Sequence, residues 1–413
     1  MKKYTLLLTL FSILGNFTIL NAQLNREVMQ VKTDVVYLAS DYLEGRETGT
    51  RGETIAAEYI AHRFREIGLT PKGTSGWFQE FPFKELVNPH STDPKDAKEG
   101  TGKNVVAFLD KGADKTIVIG AHYDHLGMGG SGSLDAGEPA IHNGADDNAS
   151  GIAALLKIAK HVKNTDYPFK NNFLFIAFSG EEKGLFGSKY YAANPTIDIK
   201  GINFMFNMDM VGMLNKDKSL AIYGVGTSPI WKEIINATTN DFVITTAESG
   251  VGPSDHTSFY LKDIPVLHFF TGQHKHYHKT TDDSDKVNFG GIVEVANFMI
   301  QLIMKLDDKT KLTFTKTKDE DTRKAAAFKV TLGVMPDYVY QGKGMRIDSV
   351  IGGRVADKGG LQDGDIVIKI GDVEVSDIYK YMEGLAKFKK GEKAKVTVLR
   401  GKKKKKVTKE VIF

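Results

Sequence analysis

The sequence places histidines and acidic residues directly after several apolar segments. In chain order these residues are His122, Asp124, Asp146, Glu181, Glu182, Asp209 and His278. Imidazole nitrogens and carboxylate oxygens are suitable ligands for zinc or a similar divalent ion. One carboxylate can bridge two ions, and another can accept a proton from water and pass it to a leaving amine. The pattern therefore predicts hydrolysis at a site that holds two metal ions.

The residues alone leave some roles open. Glu181 and Glu182 are adjacent, so one can bind metal while the other acts as the base, and their spacing does not decide which. Asp124 follows His122 by two residues and can orient its imidazole through the second ring nitrogen. A single histidine or acid pair is more often structural or solvent-facing, so the prediction depends on their occurrence after four separate apolar segments.

Buried strands and helices alternate along the first three quarters of the chain. The apolar segments that predict strands are residues 116–120, 172–178, 202–208 and 264–270, and helical spacing occurs in residues 151–162 and 291–306. Unbroken apolar strands alternating with helices predict an α/β domain with a mostly parallel central sheet covered by helices on both faces. Ligands bind at the carboxyl ends of such strands, so the candidate residues should converge there. The polar segment 84–103 is predicted to be a loop.

Residues 30 to 306 resemble the two-zinc aminopeptidases of the aminopeptidase Y and bacterial leucyl aminopeptidase type. The motifs that carry this resemblance are Gly120-Ala121-His122-Tyr123-Asp124, Gly144-Ala145-Asp146-Asp147-Asn148-Ala149-Ser150-Gly151, Ser179-Gly180-Glu181-Glu182-Lys183-Gly184, Asn207-Met208-Asp209, Ser254-Asp255-His256 and Tyr277-His278-Lys279-Thr280. Several ordered motifs at compatible spacing make the resemblance specific. It implies a zinc exopeptidase fold and two Zn²⁺ per chain.

The resemblance also assigns individual roles. It implies that one zinc is bound by His122 and Asp209, and the other by Glu182 and His278. Asp146 would bridge the two ions, Glu181 would be the general base, and the Asp146–Asp147 peptide bond would be cis. In the alternating residues His274, His276 and His278 the ligand is predicted to be His278, because the residues after it continue the family pattern.

Residues 328–413 resemble a PDZ domain of the kind found in bacterial proteases. The resemblance is carried by Thr331-Leu332-Gly333-Val334 and by the segment from Asp363 to Asp372. It implies a loop that binds the terminal carboxylate of an extended peptide. The alternative is a structural domain without a ligand. The lysine run 402–406 is predicted to be a solvated hairpin rather than a contact for an anionic surface.

The sequence predicts four segments. They are a signal peptide at residues 1–22, a zinc peptidase domain at 23–308, a linker at 309–327 and the PDZ domain at 328–413. The first segment has two lysines, an apolar run and a small-residue cleavage site, which favours cleavage over a membrane anchor. The chain has no cysteine, which excludes disulfides and a lipoprotein anchor. We expect an exported protein, periplasmic or extracellular, without stable membrane insertion.

Charge and motifs together define the expected function. The net charge of +4, or +2 without Lys2 and Lys3, does not indicate a nucleic-acid partner. We expect a zinc-dependent exopeptidase that acts on peptides, specifically an aminopeptidase. The alternatives are a glutaminyl cyclase or a carboxypeptidase with the same fold, or a non-catalytic protein that binds peptides through its PDZ domain.

Overall fold

The computed structural model describes residues 24–86, 97–130, 132–135, 138–317, 330–336, 340, 342–350 and 353–413. The predicted signal peptide, residues 1–22, and the predicted linker residues 318–327 lie outside the described residues. The described helices of the first domain are residues 24–38 (α1), Arg51–Ile67 (α2), Gly151–Asn164 (α3), Phe186–Ala193 (α4), Ile230–Ala237 (α5), His256–Tyr260 (α6) and Phe289–Asp307 (α7).

One large sheet forms the centre of this domain. Its strands are Thr70–Pro71 (β1), Phe78–Leu86 (β2), Ala97–Leu109 (β3), Thr116–His122 (β4), Asn172–Phe178 (β5), Ile202–Met208 (β6), Ser219–Tyr223 (β7), Val243–Ala247 (β8) and Val266–Phe270 (β9). The order is β1-β3-β5-β4-β6-β9-β7-β8, with β2 paired to β3. The four central strands, β5, β4, β6 and β9, are parallel to one another. On either side of them, β3 pairs antiparallel with β5, and β7 pairs antiparallel with β9. The predicted α/β fold is confirmed, with its parallel strands at the centre of a mixed sheet.

The central strands are apolar along their whole length because both faces of the sheet are covered. Every residue of β4, β5 and β6 is buried. One hydrophobic core includes residues of α1, α2, α3, α5 and α7. A second hydrophobic core contains a different set of strand residues together with Tyr191 of α4 and Phe259 of α6. Helix α7 is the one described helix long and apolar enough to cross a membrane, and 61% of its apolar window is buried in this core.

Two regions of this domain differ from the expectations. Residues 97–103, predicted to lie in a loop, belong to the long strand β3, which forms an antiparallel hairpin with β2. Residues 309–317, assigned to the linker, contact the first domain: the Leu312 amide donates to Asn203 Oδ1 at 2.8 Å, and the Thr315 amide donates to the Thr227 carbonyl at 2.8 Å. The first half of the predicted linker therefore packs against the first domain.

The second domain contains an antiparallel sheet and two short helices in its described part. Its strands are Val334–Pro336 (β10), Met345–Val350 (β11), Ile366–Ile370 (β12), Val373–Glu374 (β13), Lys393–Arg400 (β14) and Lys405–Ile412 (β15), and its helices are Val355–Lys358 (α8) and Ile378–Leu385 (α9). The sheet order is β10-β11-β12-β14-β15, with β13 paired to β12. The lysines at 402–406 are exposed at the β14–β15 hairpin. The predicted β-rich domain is confirmed.

Candidate metal centre

The candidate residues come together at the carboxyl ends of the parallel strands. His122 is the last residue of β4, and Asp209 directly follows β6. Glu181 and Glu182 follow β5, and His278 lies in the segment after β9. Parallel strands bring their carboxyl ends to one edge, so the sheet alone explains why residues distant in sequence meet there.

Asp147, and not Asp146, lies between the two histidines. Asp147 Oδ1 is 3.4 Å from His122 Nε2, and Asp147 Oδ2 is 3.2 Å from His278 Nε2. The Asp146 carboxylate points elsewhere: its Oδ1 accepts the Gly212 amide at 2.6 Å. The prediction that Asp146 occupies the bridging position is therefore wrong by one residue.

The cis peptide bond is displaced in the same way. It joins Asp147 to Asn148 and not Asp146 to Asp147. Asn148 connects this turn to the end of β6, because its Nδ2 donates to the Met208 carbonyl at 3.0 Å and its Oδ1 accepts the Met210 amide at 3.1 Å. These hydrogen bonds hold the Asp147 turn beside Asp209.

Two clusters of ligand atoms share Asp147. The first cluster consists of His122 Nε2, Asp209 Oδ1 and Asp147 Oδ1, with 3.2 Å between His122 and Asp209. The second cluster consists of His278 Nε2, Glu182 Oε2 and Asp147 Oδ2, with 3.2 Å between His278 and Glu182. Ligand atoms about 2.0–2.2 Å from a tetrahedral zinc ion lie about 3.3–3.6 Å from each other. The observed separations of 3.2–3.4 Å are close to that spacing.

The histidines of the two clusters, His122 and His278, direct Nε2 into the clusters because Nδ1 has another partner. His122 Nδ1 lies 3.2 Å from the Asp124 carbonyl, and His278 Nδ1 lies 2.9 Å from the Gly132 carbonyl. A carbonyl accepts only, so Nδ1 is the donor of each of these hydrogen bonds and Nε2 is the ring nitrogen that faces the cluster. The backbone carbonyl of Asp124 therefore orients His122 more than the Asp124 carboxylate does.

The Asp124 carboxylate has a different contact. Its Oδ1 lies 3.7 Å from His122 Nδ1 but accepts the backbone amide of Glu181 at 3.2 Å, while its Oδ2 accepts the Thr48 hydroxyl at 3.0 Å. Asp124 is fully buried. Its role in this structure is to fix the start of the segment that carries the paired glutamates.

Glu181 lies beside the first cluster. One of its carboxylate oxygens is within 4.8 Å of the ligand atoms of His122 and Asp209. Burial raises the pKa of Glu181 well above its usual value, and the carboxylates of Asp209 and Glu182 add to this effect, while His122 opposes it. The site therefore concentrates negative charge around Glu181.

The pKa values of His122 and His278 are raised by the same excess of negative charge. Burial alone would lower the pKa of His122, but the carboxylates of Asp209 and Glu181 outweigh it and raise the pKa well above its usual value. His278 behaves in the same way beside Glu182. A site with more carboxylates than cationic groups is stabilised by bound cations, which agrees with the nature of the ligand atoms.

The three alternating histidines do not share one face, because residues 275–278 form turns. His278 has a φ of 53° and enters the second cluster. His274 Nε2 lies 3.1 Å from Asp146 Oδ2, and His276 contacts Thr281 at the surface. The geometry therefore distinguishes His278 from the two neighbouring histidines.

Two residues near the clusters were given no role by the sequence. Asp282 accepts the amides of Asp146 and Asp147 at 3.0–3.2 Å and so fixes the turn that carries the shared carboxylate. Tyr277 stacks on His278 with ring centroids 3.8 Å apart, and burial raises the pKa of its hydroxyl well above the usual value. Tyr277 therefore keeps its proton at neutral pH and remains a hydrogen-bond donor.

Arg46 joins the segments that carry the ligands. It is 1% exposed, and its guanidinium donates to the carbonyls of Leu38, Tyr123, Asn143 and Gly144. Burial lowers the pKa of Arg46 to about 10, while neighbouring carboxylates oppose that effect, so Arg46 is charged at neutral pH. No metal motif includes this arginine, which explains why the sequence did not identify it.

Comparison with known proteins supports the two-domain interpretation. Residues 104–303 match peptidase family M28, and residues 313–411 match the PDZ domain. A probable leucine aminopeptidase of Arthroderma otae is 24% identical over 218 residues, which cover 49% of this chain and 57% of the relative. The chain spans little more than half the length of most of the curated relatives it matches.

Solved structures confirm the fold. The Legionella pneumophila LapA aminopeptidase superposes with a TM-score of 0.52 at 18% identity, covering 70% of this chain and 75% of that one. A Porphyromonas gingivalis glutaminyl cyclase superposes with a TM-score of 0.54 at 17% identity, covering 67% of this chain and 98% of that one. The chain thus has the fold of zinc exopeptidases, with a segment that matches peptidase family M28 followed by one that matches the PDZ domain.

Proposed function

We propose that this protein is a zinc-dependent aminopeptidase that binds two zinc ions per chain. The observation that supports this most strongly is the position of Asp147. Each of its carboxylate oxygens lies 3.2–3.4 Å from a different histidine nitrogen, and each of those nitrogens lies 3.2 Å from a further carboxylate oxygen. This is the donor set and spacing of two zinc sites that share one carboxylate.

The residues of the two clusters would hold the ions. His122 and Asp209 would bind one zinc, Glu182 and His278 would bind the other, and Asp147 would bind both. When bound, zinc supplies Lewis acidity, which polarises a carbonyl group and lowers the pKa of water. The excess of carboxylates described above would be balanced by the charge of the ions.

Glu181 would move the proton. It lies beside the first cluster, and the adjacent Glu182 already supplies the ligand of the second cluster. As general base it would accept a proton from water at its carboxylate and return that proton to the nitrogen of the leaving amine. Asp124 would hold Glu181 in place by accepting its backbone amide.

The choice of aminopeptidase rests on the relatives. Curated relatives and solved structures carry aminopeptidase names, whereas the residues of the site do not show which end of a peptide is bound. Peptide substrates with free N-termini are therefore the proposed substrates. The PDZ domain is proposed to bind a peptide with a free C-terminal carboxylate, and the chain is proposed to be exported after cleavage behind Ala22.

A panel of substrates tests this function. Aminoacyl reporters, N-blocked peptides and peptides that begin with glutamine would be incubated with the full chain, with and without a chelator. We expect hydrolysis of free aminoacyl reporters that chelator abolishes and zinc restores. Cyclisation of N-terminal glutamine without hydrolysis would establish a glutaminyl cyclase instead, and release of C-terminal residues from N-blocked peptides would establish a carboxypeptidase.

A further inference from the structure

His125 makes a short contact with a ligand of the second cluster. His125 Nδ1 lies 2.7 Å from Glu182 Oε1, and the side chain of His125 is fully buried. Because the carboxylate only accepts, the imidazole Nδ1–H is the donor of this hydrogen bond. The other oxygen of Glu182, Oε2, is the one that faces His278.

The distances separate a positioning role from a ligand role. Two ligand atoms of one tetrahedral zinc ion lie about 3.3–3.6 Å apart, whereas a charge-assisted hydrogen bond measures about 2.7–2.9 Å. The 2.7 Å contact between His125 and Glu182 falls in the second range. His125 Nδ1 is also 3.9 Å from Asp147 Oδ2, farther than the 3.2 Å that separates this oxygen from His278.

The His125 ring is confined on several sides. Its backbone amide donates to the Arg46 carbonyl at 3.3 Å, and its ring packs edge-on against His278 with centroids 5.9 Å apart. Gly144 lies against the ring so closely that a Cβ at this position would come within 2.5 Å of His125 Cγ. The direction of its Nδ1–H bond is therefore set by packing.

We propose that His125 is a positioning residue of the second zinc site: its hydrogen bond to Glu182 Oε1 turns Oε2 toward the cation. This inference rests on the proposed two-zinc function. Glu182 lies beyond the end of β5 and not within the strand, so its side chain depends on such a contact. His125 selectively strengthens binding at the second cluster, because its hydrogen bond is to Glu182, which belongs to that cluster alone.

Zinc titration of the metal-free full-length protein tests this proposal without measuring catalysis. A competing zinc indicator would report two successive affinities in the wild type, in His125→Ala, in His125→Asn and in the control His161→Ala on the distant part of α3. Loss of an outer hydrogen bond to a metal ligand typically weakens metal binding about 10–100-fold. We expect a loss of this size in one affinity of His125→Ala, with the other unchanged.

The asparagine variant distinguishes the two possible roles of His125. Its side-chain amide N–H can donate from nearly the position of the imidazole Nδ1–H, so the weaker affinity should stay within about threefold of the wild type. An equal loss in the asparagine and alanine variants would mean that the donated hydrogen bond does not support the site and would overturn the proposal. Two unchanged affinities in His125→Ala would overturn it as well.

The same titration separates this inference from the proposed function. If the wild type binds fewer than two zinc ions, the two-zinc function fails. If it binds two and His125→Ala binds both with wild-type affinity, only the role of His125 fails. The unchanged affinity of the other site serves as the internal control that the variant is folded.

Discussion

The two clusters share a carboxylate but are built on different supports. In the first cluster, His122 is the last residue of β4 and Asp209 directly follows β6, so the buried sheet fixes both ligands. In the second cluster, Glu182 and His278 lie in connecting segments, and His278 has a φ of 53°. Hydrogen bonds from other segments orient the side chains there: the His125 imidazole donates to Glu182, and the Gly132 carbonyl accepts from His278.

This difference predicts unequal metal sites. Strand ends in a packed sheet move little, whereas connecting segments open locally at a lower cost in free energy. The first cluster should therefore bind its cation more tightly than the second, although the donor atoms are similar. Zinc affinity would in that case depend on how ligands are supported as well as on which ligands are present.

The largest expected effect comes from the residue that both clusters use. Asp147→Ala should bind less than one zinc per chain and reduce hydrolysis to the level of chelator-treated wild type, because each cluster loses a ligand. Zinc content and reporter hydrolysis measure this. Asp146→Asn is the matched control: it keeps an oxygen that can accept the Gly212 amide and should still bind two zinc ions.

Replacing the proposed base should separate chemistry from metal binding. Glu181→Gln removes proton transfer while keeping the shape of the side chain, and we expect kcat to fall by about 10²–10⁴-fold. Both zinc ions should remain bound, as measured by metal analysis. Loss of a zinc ion from this variant would mean that Glu181 is a ligand of the first cluster.

Replacing Arg46 tests how much its hydrogen bonds between the ligand-carrying segments contribute to the stability of the fold. Arg46→Met leaves several buried carbonyls without a donor, and each such group costs about 1–3 kcal/mol. We expect the free energy of unfolding to fall by at least about 3 kcal/mol, as measured by denaturant titration of the zinc-loaded protein. Arg51→Met removes an exposed ion pair with Glu44 and should cost less than about 1 kcal/mol.

The smallest effect is a difference between the two wild-type sites. Graded chelation should remove zinc in two steps, and the cation of the second cluster should leave first. In His122→Ala only the weaker affinity should survive, whereas in His278→Ala only the tighter one should survive. Retention of the tighter affinity in His122→Ala would reverse the ranking of the clusters.

The sequence predicted the strands and the edge where the ligands meet, because buried parallel strands have a plain apolar signature. It assigned the bridging position to Asp146, whereas the structure has Asp147 there. Adjacent side chains point in different directions, and that direction depends on the turn from Gly144, whose φ is 56°, through Asp147 and Asn148, whose backbone angles are not helical. This local geometry is fixed by contacts with Asp282, more than 130 residues away in sequence.

The remaining errors have similar causes. Strand β3 begins Ala-Lys-Glu-Gly-Thr-Gly-Lys, which lacks the apolar run of a buried strand, yet it pairs with β2 at the margin of the sheet. His125 could have been noticed from its position three residues after His122. Its role nevertheless depends on the Glu182 carboxylate, 57 residues away in sequence, and no local pattern records that contact.

Anomalous diffraction at the zinc absorption edge, on crystals of the full chain, tests the central claim most directly. We predict two zinc peaks, one on each side of the Asp147 carboxylate, with His122 and Asp209 around one and Glu182 and His278 around the other. A single peak, or a peak bound by Asp146 in place of Asp147, would contradict the two-zinc site described here.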